Sequence, residues 1–371
     1  MQVIRITELE KSFESIAKVL DLGGLVIFPT ETCYGALVRA DLESAVTKLL
    51  AYKQRPVGKA ISIGSGSSAE ALTYLEEPKD QKSKLHTLAE KFLPGPVTLV
   101  GISSGKVDRR LETEEGTLGV RVPAYEPLLK FLNYYKHPIT TTSANSSGEP
   151  TPYSPDGLFK HLSTKKKDMI DLLVDAGSLP HNPPSLVIDT TQTDKVYRPG
   201  LLTARDLEAG EVFLSQSQEQ TAEIAAECVK SVADNSSAVP VIYLLEGEMG
   251  AGKTQFAKGI AQGLGIVSTV NSPSYNLVKE YSSPTGQIFY HADLWRLTES
   301  LALQDLGIQL SVGDPSDPVN KTVVAVEWPS NLADTEELQN LADTDKLKLY
   351  SVKILKLGEQ QRRIILTELK S

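Results

Sequence analysis

Short apolar runs and amphipathic stretches alternate along most of the chain. Runs such as 25–28 and 97–102 are mostly apolar and are bounded by glycine, proline and polar residues, which is typical of buried strands. Between such runs, apolar residues recur every three or four positions, as in 84–92, and this spacing predicts helices. The alternation of strands with helices predicts an α/β fold.

The same patterns locate the other elements. Thr7 followed by Glu10 is a capping box, which predicts that the first helix begins at Thr7 and runs to about Leu22. The last two apolar runs are separated by a glycine-containing turn, which predicts a closing hairpin. Strands are expected at 1–6, 60–63, 116–123, 139–142, 186–189, 195–198, 239–245, 277–281, 288–294, 323–326, 348–355 and 363–369, and helices at 42–52, 128–135, 219–233 and 255–264.

The chain is long for a single core, since 371 residues exceed the usual size of one domain. A Ser/Gln-rich stretch at 215–220 and a change in charge mark a junction. Residues 1–205 carry 25 basic and 24 acidic side chains, whereas residues 206–371 carry 13 basic and 23 acidic ones. We expect one domain at 1–208 and another at 209–371. The acidic second half is a poor candidate for binding nucleic acid by itself.

The compartment is predicted from what the sequence lacks. Cys33 and Cys228 are the two cysteines, and they fit neither a metal nor a disulfide pattern. The N-terminus does not resemble a signal peptide, and no apolar run approaches the length of a membrane span. These features favour a cytoplasmic protein with no membrane association.

Gly247–Thr254 carries the strongest chemical signal. It reads G-x-x-x-x-G-K-T between a predicted strand and a predicted helix, which is the context that a Walker A phosphate loop requires. Gly250 and Gly252 let the backbone turn its N–H groups around a phosphate, and Lys253 reaches the β- and γ-phosphates. Thr254 can ligate Mg²⁺. The sequence therefore predicts an ATP site with Mg²⁺.

Two acids at strand ends are candidates for the remaining parts of that site. Glu327 ends the apolar strand at 323–326, which favours a Walker B role in holding Mg²⁺ or positioning water. Asp293 ends the preceding strand and is a second candidate. Either acid alone can also be a strand cap or ion-pair partner. His291 is interpreted as structural.

Polar loops follow several strands of the first half. The loop after 25–28 contains Glu31 and Thr32, and the loop after 139–142 is rich in serine and asparagine. Ligands of α/β sheets bind at such strand ends. Lys53, Arg55 and Lys59 form a cationic cluster that suits a polyphosphate, although a solvated helix end is the commoner role of such a run.

These loops carry a resemblance that covers residues 1 to about 205. The chain is similar to the YrdC-type threonylcarbamoyl-adenylate synthase family. The matching signatures, in the family's order, are Pro-Thr-Glu-Thr-Cys-Tyr-Gly at 29–35, Lys-Gln-Arg-Pro with a following Lys at 53–59, Pro-Gly-Pro-Val-Thr at 94–98, Gly-Val-Arg-Val-Pro at 119–123, Thr-Ser-Ala-Asn-Ser-Ser-Gly at 142–148 and Tyr-Arg-Pro-Gly at 197–200.

The resemblance implies a twisted mixed α/β sheet domain that condenses L-threonine, bicarbonate and ATP to threonylcarbamoyl-AMP and pyrophosphate. The family has a characteristic tetrad of residues that binds the nucleotide, and Lys59 lies beside it. Two other residues of the family bind threonine, and two more contact the nucleotide. Many members carry a histidine where this chain has 63–65, which leaves open the residue that completes the threonine pocket. Glu31 is equally compatible with a chemical role and with none. The implied residues are Lys53, Arg55, Ser143 and Asn145 as the catalytic tetrad, Lys59, Thr117 and Arg198 for the nucleotide, and Thr32 and Arg121 for threonine.

The second half, at about 212–371, is similar to the TsaE family of small bacterial P-loop ATPases, whose domain has a mainly parallel sheet. The shared marks are the Walker A loop, Ser-Pro-Ser-Tyr at 272–275, His-Ala-Asp-Leu-Trp-Arg at 291–296, Asp-Leu-Gly-Ile at 305–308 and Glu-Trp-Pro at 327–329. By position, the resemblance implies that Thr254 and Glu327 ligate Mg²⁺ and that Asp293 supports hydrolysis. It also places Trp328 beside the nucleotide and Thr221 near the adenine.

Together the two resemblances imply a fusion that serves one pathway, the synthesis of N6-threonylcarbamoyladenosine (t6A) in tRNA. The partners implied are TsaB and TsaD, with tRNA contacted indirectly. The alternative is an RNA-binding module fused to a P-loop small-molecule kinase. The near-neutral first half disfavours RNA binding, and the three arginines after Thr254 are too few for an arginine-rich kinase lid.

Overall fold

The computed structural model describes residues 1–54, 60–76, 84–146, 148–191, 195–234, 239–273, 276–310 and 322–370. The chain divides into two compact units, Met1–Leu207 and Glu208–Ser371, and each is described by itself. In the described ranges, no helix is both long enough and apolar enough to cross a membrane.

The first unit contains two sheets. The five-stranded sheet has the order β1-β9-β2-β3-β8, and the six-stranded sheet has the order β11-β10-β5-β6-β4-β7. Both sheets mix parallel and antiparallel pairs, as the expected mixed α/β fold requires. The strands are β1 (Gln2–Arg5), β2 (Val26–Pro29), β3 (Tyr34–Leu37), β4 (Ile63–Gly64), β5 (Val97–Ile102), β6 (Thr117–Arg121), β7 (Ile139–Thr140), β8 (Thr142–Ser143), β9 (Leu172–Asp175), β10 (Leu186–Asp189) and β11 (Val196–Arg198).

The helices of this unit cover the sheets with apolar faces. Phe131 packs against Phe28 of the five-stranded sheet, with ring centroids 6.0 Å apart, and both side chains are fully buried. Leu20 and Leu128 belong to the same apolar cluster. The helices are α1 (Phe13–Asp21), α2 (Glu43–Lys53), α3 (Ser68–Leu72), α4 (Lys84–Phe92), α5 (Glu126–Tyr135), α6 (Pro155–Lys160), α7 (Thr164–Asp168) and α8 (Ala204–Ala209).

The predicted start of the first helix is wrong. The helix begins at Phe13, and two short 3₁₀ turns precede it. A capping box needs the Glu10 carboxylate to bond back to the Thr7 N–H. Instead, Glu10 Oε1 accepts a bond from Lys130 Nζ at 2.9 Å. A tertiary ion pair has therefore replaced the local cap.

The single strand predicted at 139–142 is two strands in different sheets. β7 pairs with β4 in the six-stranded sheet, and β8 pairs with β3 in the five-stranded sheet. Thr141 lies at the crossing, where its N–H donates to Ser62 O at 2.8 Å and its hydroxyl lies 3.1 Å from Ser62 Oγ. This crossing brings the two sheets together beside the polar loops. The patterns also missed β3 and β9.

The second unit is built on one seven-stranded sheet with the order β12-β18-β17-β13-β16-β15-β14. Its four central strands are parallel, and antiparallel strands flank them. The closing hairpin is confirmed as β17 and β18. The elements are β12 (Glu211–Ser215), α9 (Gln218–Asp234), β13 (Val241–Glu246), α10 (Lys253–Gly263), β14 (Val278–Ser282), β15 (Ile288–Asp293), β16 (Thr322–Glu327), α11 (Thr335–Asp343), β17 (Lys348–Lys356) and β18 (Arg362–Glu368).

Side chains of β13 alternate between the two faces of this sheet, as the pleat requires. Tyr243 belongs to the cluster that α9 and α10 cover, and Leu244 belongs to the cluster on the α11 side. Because both faces are buried, β13 is hydrophobic from Val241 to Leu245, and only its last residue, Glu246, is charged. The strand therefore ends in a well-packed sheet, and the loop that follows it starts from a fixed point.

Candidate functional site

The phosphate loop, Gly247–Thr254, joins the end of β13 to the start of α10. Gly250 and Gly252 have φ angles of 71° and 112°, a region that side chains other than glycine avoid. A Cβ on Gly247 would lie 2.5 Å from Ile354 O, so the loop also packs directly on β17. The sequence signal and the backbone geometry describe the same anion-binding turn.

Lys253 is buried at the first position of α10. Its Nζ donates to Gly247 O at 2.8 Å and to Glu248 O at 3.0 Å, and it lies 3.8 Å from the centre of the Trp328 ring. Burial lowers the pKa of Lys253, and the carboxylates of Glu327 and Asp293 oppose that shift. The ammonium is thus held by neutral carbonyls and a ring, which an incoming phosphate can replace as its partner.

Glu327 ends β16 and forms the centre of a buried polar network. Its Oε1 accepts from Thr254 Oγ1 at 2.8 Å and lies 2.9 Å from His291 Nε2. His291 is fully buried. A hydroxyl and a carboxylate oxygen are hard donors of the kind that Mg²⁺ takes, so Thr254 and Glu327 fit this ion. His291 thus positions the Glu327 carboxylate. The sequence predicted a structural role for His291 but not this partner.

Asp293 lies opposite Glu327 in the parallel register of β15 and β16. Its Oδ2 accepts from Ser272 Oγ at 2.8 Å, and its Oδ1 accepts from the Trp295 N–H at 3.2 Å. The two acids therefore end neighbouring strands beside the phosphate loop, but they have different partners. Ser274 and Tyr275 of the Ser-Pro-Ser-Tyr motif lie outside the described residues.

A cavity of about 490 Å³ adjoins this network. Thr221 is part of its lining, and its hydroxyl donates to Ser217 O at 3.0 Å and lies 2.7 Å from Ser215 Oγ. Trp328 is not part of the lining, although its ring contacts Lys253. Residues placed here by sequence are Thr221, Gly250, Gly252, Lys253, Thr254 and Glu327, and the additional lining residues include Ser217, Gln218, Glu359, Gln360 and Arg362.

In the first unit, Lys53 ends α2 and joins that helix end to the segment at 143–145. It is buried, and its Nζ donates to Ser143 O at 2.5 Å and to Asn145 O at 2.6 Å. The Ser143 hydroxyl in turn donates to Asn145 Oδ1 at 2.5 Å. Three members of the predicted tetrad are thus in contact. The fourth, Arg55, and the neighbouring Lys59 lie outside the described residues.

A cavity of about 510 Å³ lies beside these residues. Its lining draws on both sheets and includes five residues that the sequence analysis placed in this site, namely Thr32, Thr117, Arg121, Ser143 and Arg198. Most of the hydroxyl and amide groups in the wall were not predicted as site residues. Thr30 and Thr98 lie inside the quoted family signatures, whereas Ser62, Thr113, Thr141 and Asn182 lie outside them. Isolated threonines and serines give no signal in a sequence, because their neighbours in space are far apart along the chain.

Arg121 and Glu31 form an ion pair in this cavity. Both side chains are largely buried, and a buried pair of this kind is strongly destabilised when one partner is lost. Among the described residues, Glu31 Oε2 and Arg121 Nε are buried polar atoms with no hydrogen-bond partner. The ion pair therefore leaves one buried atom of each side chain without a hydrogen bond among the described residues.

Arg198 extends the polar wall at the other end of the cavity. Its Nε donates to Ser185 O at 3.0 Å and its Nη2 donates to Ser185 Oγ at 2.7 Å. That hydroxyl lies 3.1 Å from Thr98 Oγ1. Arg198 is consequently held in place by Ser185, which was not predicted as a site residue.

Lys166 is a further cation that the sequence analysis missed. Its Nζ donates to Ser146 Oγ at 2.7 Å and to Gln54 Oε1 at 3.1 Å, so it bridges the two segments that carry Asn145 and Lys53. The side chain is buried although it lies in a run of three lysines. A run of three lysines predicts a solvent-exposed helix face. Only the structure shows that Lys166 is the lysine that is buried.

Comparison with known proteins gives one family for each unit. The model of the Sua5, YciO and YrdC family, described as "Telomere recombination", matches residues 18–200. The model described as "Threonylcarbamoyl adenosine biosynthesis protein TsaE" matches residues 215–364.

Two curated relatives and one solved structure are similar to this chain. A threonylcarbamoyl-AMP synthase of Pyrococcus abyssi is 36% identical over 187 residues, which cover 50% of this chain and 53% of that protein. A threonylcarbamoyl-AMP synthase of Vibrio parahaemolyticus is 31% identical over 42% of this chain and 83% of that protein. The crystal structure of Pyrococcus abyssi Sua5 complexed with L-threonine has a TM-score of 0.49 and 22% identity, and the match covers 94% of this chain and 98% of that one.

Proposed function

Because the chain belongs to the Sua5, YciO and YrdC family through its first half and to the TsaE family through its second, we propose that it is a bifunctional t6A biosynthesis enzyme. The first unit makes threonylcarbamoyl-AMP, and the second hydrolyses ATP. The observation that supports this best is that each unit has its own cavity, lined by residues from the signatures of its family. Two separate ATP-consuming reactions need two such cavities.

In the first unit, the proposed reaction joins L-threonine, bicarbonate and ATP. The threonine amine and bicarbonate give a carbamate and water, and a carbamate oxygen attacks the α-phosphate of ATP. The bond from that phosphorus to the bridging oxygen breaks, and pyrophosphate leaves. Nucleotidyl transfer depends on positioned cations, and Lys53, Arg55 and Lys59 supply them in this proposal. Ser143 and Asn145 bond phosphate or ribose oxygens.

Threonine binds in the cavity beside these groups. Arg121 lies in the lining and is the proposed partner of the threonine carboxylate, and Thr32 lies in the same lining. Glu31 keeps Arg121 oriented through their ion pair, which gives this acid a structural role beside any chemical one. Thr117 and Arg198 are the proposed nucleotide contacts at the other side of the lining.

In the second unit, the phosphate loop binds ATP and Lys253 donates to its terminal phosphates. Thr254 and Glu327 would hold Mg²⁺, which supplies positive charge to the phosphate oxygens when it is bound. His291 keeps the Glu327 carboxylate facing Thr254. Asp293, held by Ser272, orients the attacking water.

The partners proposed for the second unit are TsaB and TsaD, whose transferase complex it would serve while tRNA is modified indirectly. This proposal rests on the TsaE match. We place the protein in the cytoplasm, since Cys33 and Cys228 are both free and buried, as a reducing compartment allows.

Pyrophosphate release from ATP tests the proposal. We expect the purified protein to release pyrophosphate only when L-threonine and bicarbonate are both present. Lys53→Ala should abolish this release, because its ammonium joins the end of α2 to the segment at 143–145. Lys253→Ala should preserve it, because Lys253 belongs to the other unit.

The controls separate the two halves. If phosphate is released without pyrophosphate and Lys253→Ala abolishes it, the phosphate-loop unit is active and the first unit has another function. Pyrophosphate release that does not depend on threonine would exclude the proposed condensation.

A further inference from the structure

Arg362, at the start of β18, is brought to the phosphate loop by the closing hairpin. Its Nε donates to Ala251 O at 2.8 Å, and its Nη2 donates to Gly250 O at 3.3 Å. Its Nη1 donates to Gly358 O at 2.9 Å and to Gln361 O at 2.8 Å. The guanidinium is thus fixed against the loop although it lies more than a hundred residues away in sequence.

All of these acceptors are neutral backbone carbonyls. A guanidinium has five N–H groups, and the four bonds leave one of them, on Nη2, without a partner in the described part of the chain. The described residues also include no carboxylate in an ion pair with Arg362. Burial lowers the pKa of Arg362, and the carboxylate of Glu248 opposes that shift. A partly buried cation held this way is stabilised by any anion that reaches it.

The cavity beside the phosphate loop is where such an anion would arrive. Arg362 is part of its lining, together with Lys253, Thr254 and Glu327. We propose that Arg362 binds a phosphate group of the nucleotide in this cavity and acts as a second cation beside Lys253. The inference rests on the proposed ATP site of the second unit. In this proposal the second unit supplies a phosphate-binding arginine from its own closing hairpin.

Lys356, on the other strand of the hairpin, provides a matched comparison. Its Nζ donates to Met249 O at 2.8 Å and lies 3.7 Å from Glu248 Oε1. Like Arg362, it holds the phosphate loop through a carbonyl. Unlike Arg362, it has an acidic partner and is not part of the cavity lining. A loss of loop support alone should therefore affect both residues alike.

Tryptophan fluorescence of the whole chain can test the proposal. The chain has two tryptophans, and both lie in the second unit. The Trp328 ring contacts Lys253, and its centroid is 4.9 Å from that of Trp295. Their emission should therefore report ATP binding at the phosphate loop even when ATP also binds the first unit.

We expect Arg362→Gln to raise the Kd for ATP about ten- to a hundredfold, because a charge-assisted hydrogen bond to a phosphate is lost. Arg362→Lys should lie between wild type and Arg362→Gln, since lysine keeps the charge without the planar donors. Lys356→Met should raise the Kd by no more than about threefold. Unfolding curves of each variant should confirm that the second unit remains folded.

Equal and small effects of Arg362→Gln and Lys356→Met would overturn the proposal, since both residues would then only support the loop. If the second unit does not bind ATP as proposed, the experiment gives a different result. In that case wild type would show no ATP-dependent change in tryptophan emission, or Lys253→Ala would bind ATP as tightly as wild type. The proposal for Arg362 would fall with it.

Discussion

The two cavities are assembled in opposite ways. The cavity of the second unit is built around one continuous segment, Gly247–Thr254, with Glu327 from the end of a neighbouring strand. The cavity of the first unit draws on segments from Thr30 to Arg198 and on both sheets. The residues of the first kind of site are close together in the sequence and form a recognisable motif. The second kind exists only after the strands have paired, so its residues are found through family signatures or through the structure.

The two cavities also hold their charges differently. Arg121 in the first unit is already neutralised by Glu31 in a buried ion pair. Lys253 in the second unit contacts carbonyl oxygens and an aromatic ring. A carboxylate ligand in the first unit must therefore share the Arg121 guanidinium with Glu31. A phosphate in the second unit meets a cation whose hydrogen-bond partners are neutral.

The largest effect that would sharpen this comparison is expected from Glu327→Gln. The amide can still accept from Thr254, but it is a poor ligand for Mg²⁺ because it carries no charge. We expect the Mg²⁺ concentration needed for half-maximal ATP-dependent tryptophan emission to rise about a hundredfold. A Mg²⁺ titration at fixed ATP measures this.

Asp293→Asn is the control for that titration. Asp293 ends the neighbouring strand, but its carboxylate bonds to Ser272 and to the Trp295 N–H. The Mg²⁺ concentration that the Asp293→Asn variant needs for the half-maximal signal should stay within about threefold of the wild-type value. If the two variants shift the requirement equally, Mg²⁺ is shared by both acids, and Thr254 and Glu327 do not form its site alone.

The same contrast explains which features could be predicted. Strands such as Val97–Ile102 and the helix Lys84–Phe92 follow directly from apolar spacing, and the structure confirms them. The start of α1 was missed because Glu10 bonds to Lys130, which is distant in sequence. The split of the strand at 139–142 depends on Thr141 meeting Ser62, and no local pattern encodes that contact.

The site residues divide along the same line. Thr254 and Glu327 were placed by motif and strand position, and the structure brings their side chains into contact. His291 and Arg362 were not assigned to the nucleotide site, because a lone histidine and a lone arginine carry no pattern. Their positions depend on sheet register and on the closing hairpin.

A smaller effect is expected in the first unit, on stability. Arg121→Gln leaves the Glu31 carboxylate buried without its partner, which should lower the free energy of unfolding by about 3 kcal/mol. Glu31→Gln should cost a similar amount, and the double variant should cost less than the sum. Chemical denaturation, followed by a probe attached to the first unit, completes the double-mutant cycle. If the two single effects simply add, the ion pair does not hold Arg121, and the contrast between the two cavities fails.

The smallest effect concerns the two cysteines, one in each unit. Burial raises the pKa of the Cys33 thiol, and burial raises the pKa of Cys228 to about 12. At about pH 8 both thiols are therefore protonated in the folded protein, and alkylation by iodoacetamide should be at least about tenfold slower than in the unfolded chain. Each rate should rise with pH until the thiol is ionised. Since the folded state keeps these protons to higher pH than the unfolded state, stability should fall as the pH rises above about 8.5.

Ligands should then distinguish the two thiols. Cys33 lines the cavity of the first unit, whereas Cys228 lies in the apolar cluster under α9. L-threonine with bicarbonate and ATP should slow alkylation of Cys33 about threefold or more by covering it, and should leave the Cys228 rate unchanged. Mass spectrometry of the alkylated peptides measures both rates in one sample. Equal protection of both thiols would mean that the ligands stabilise the whole fold, and the cavity beside Arg121 would lose its support as the threonine site.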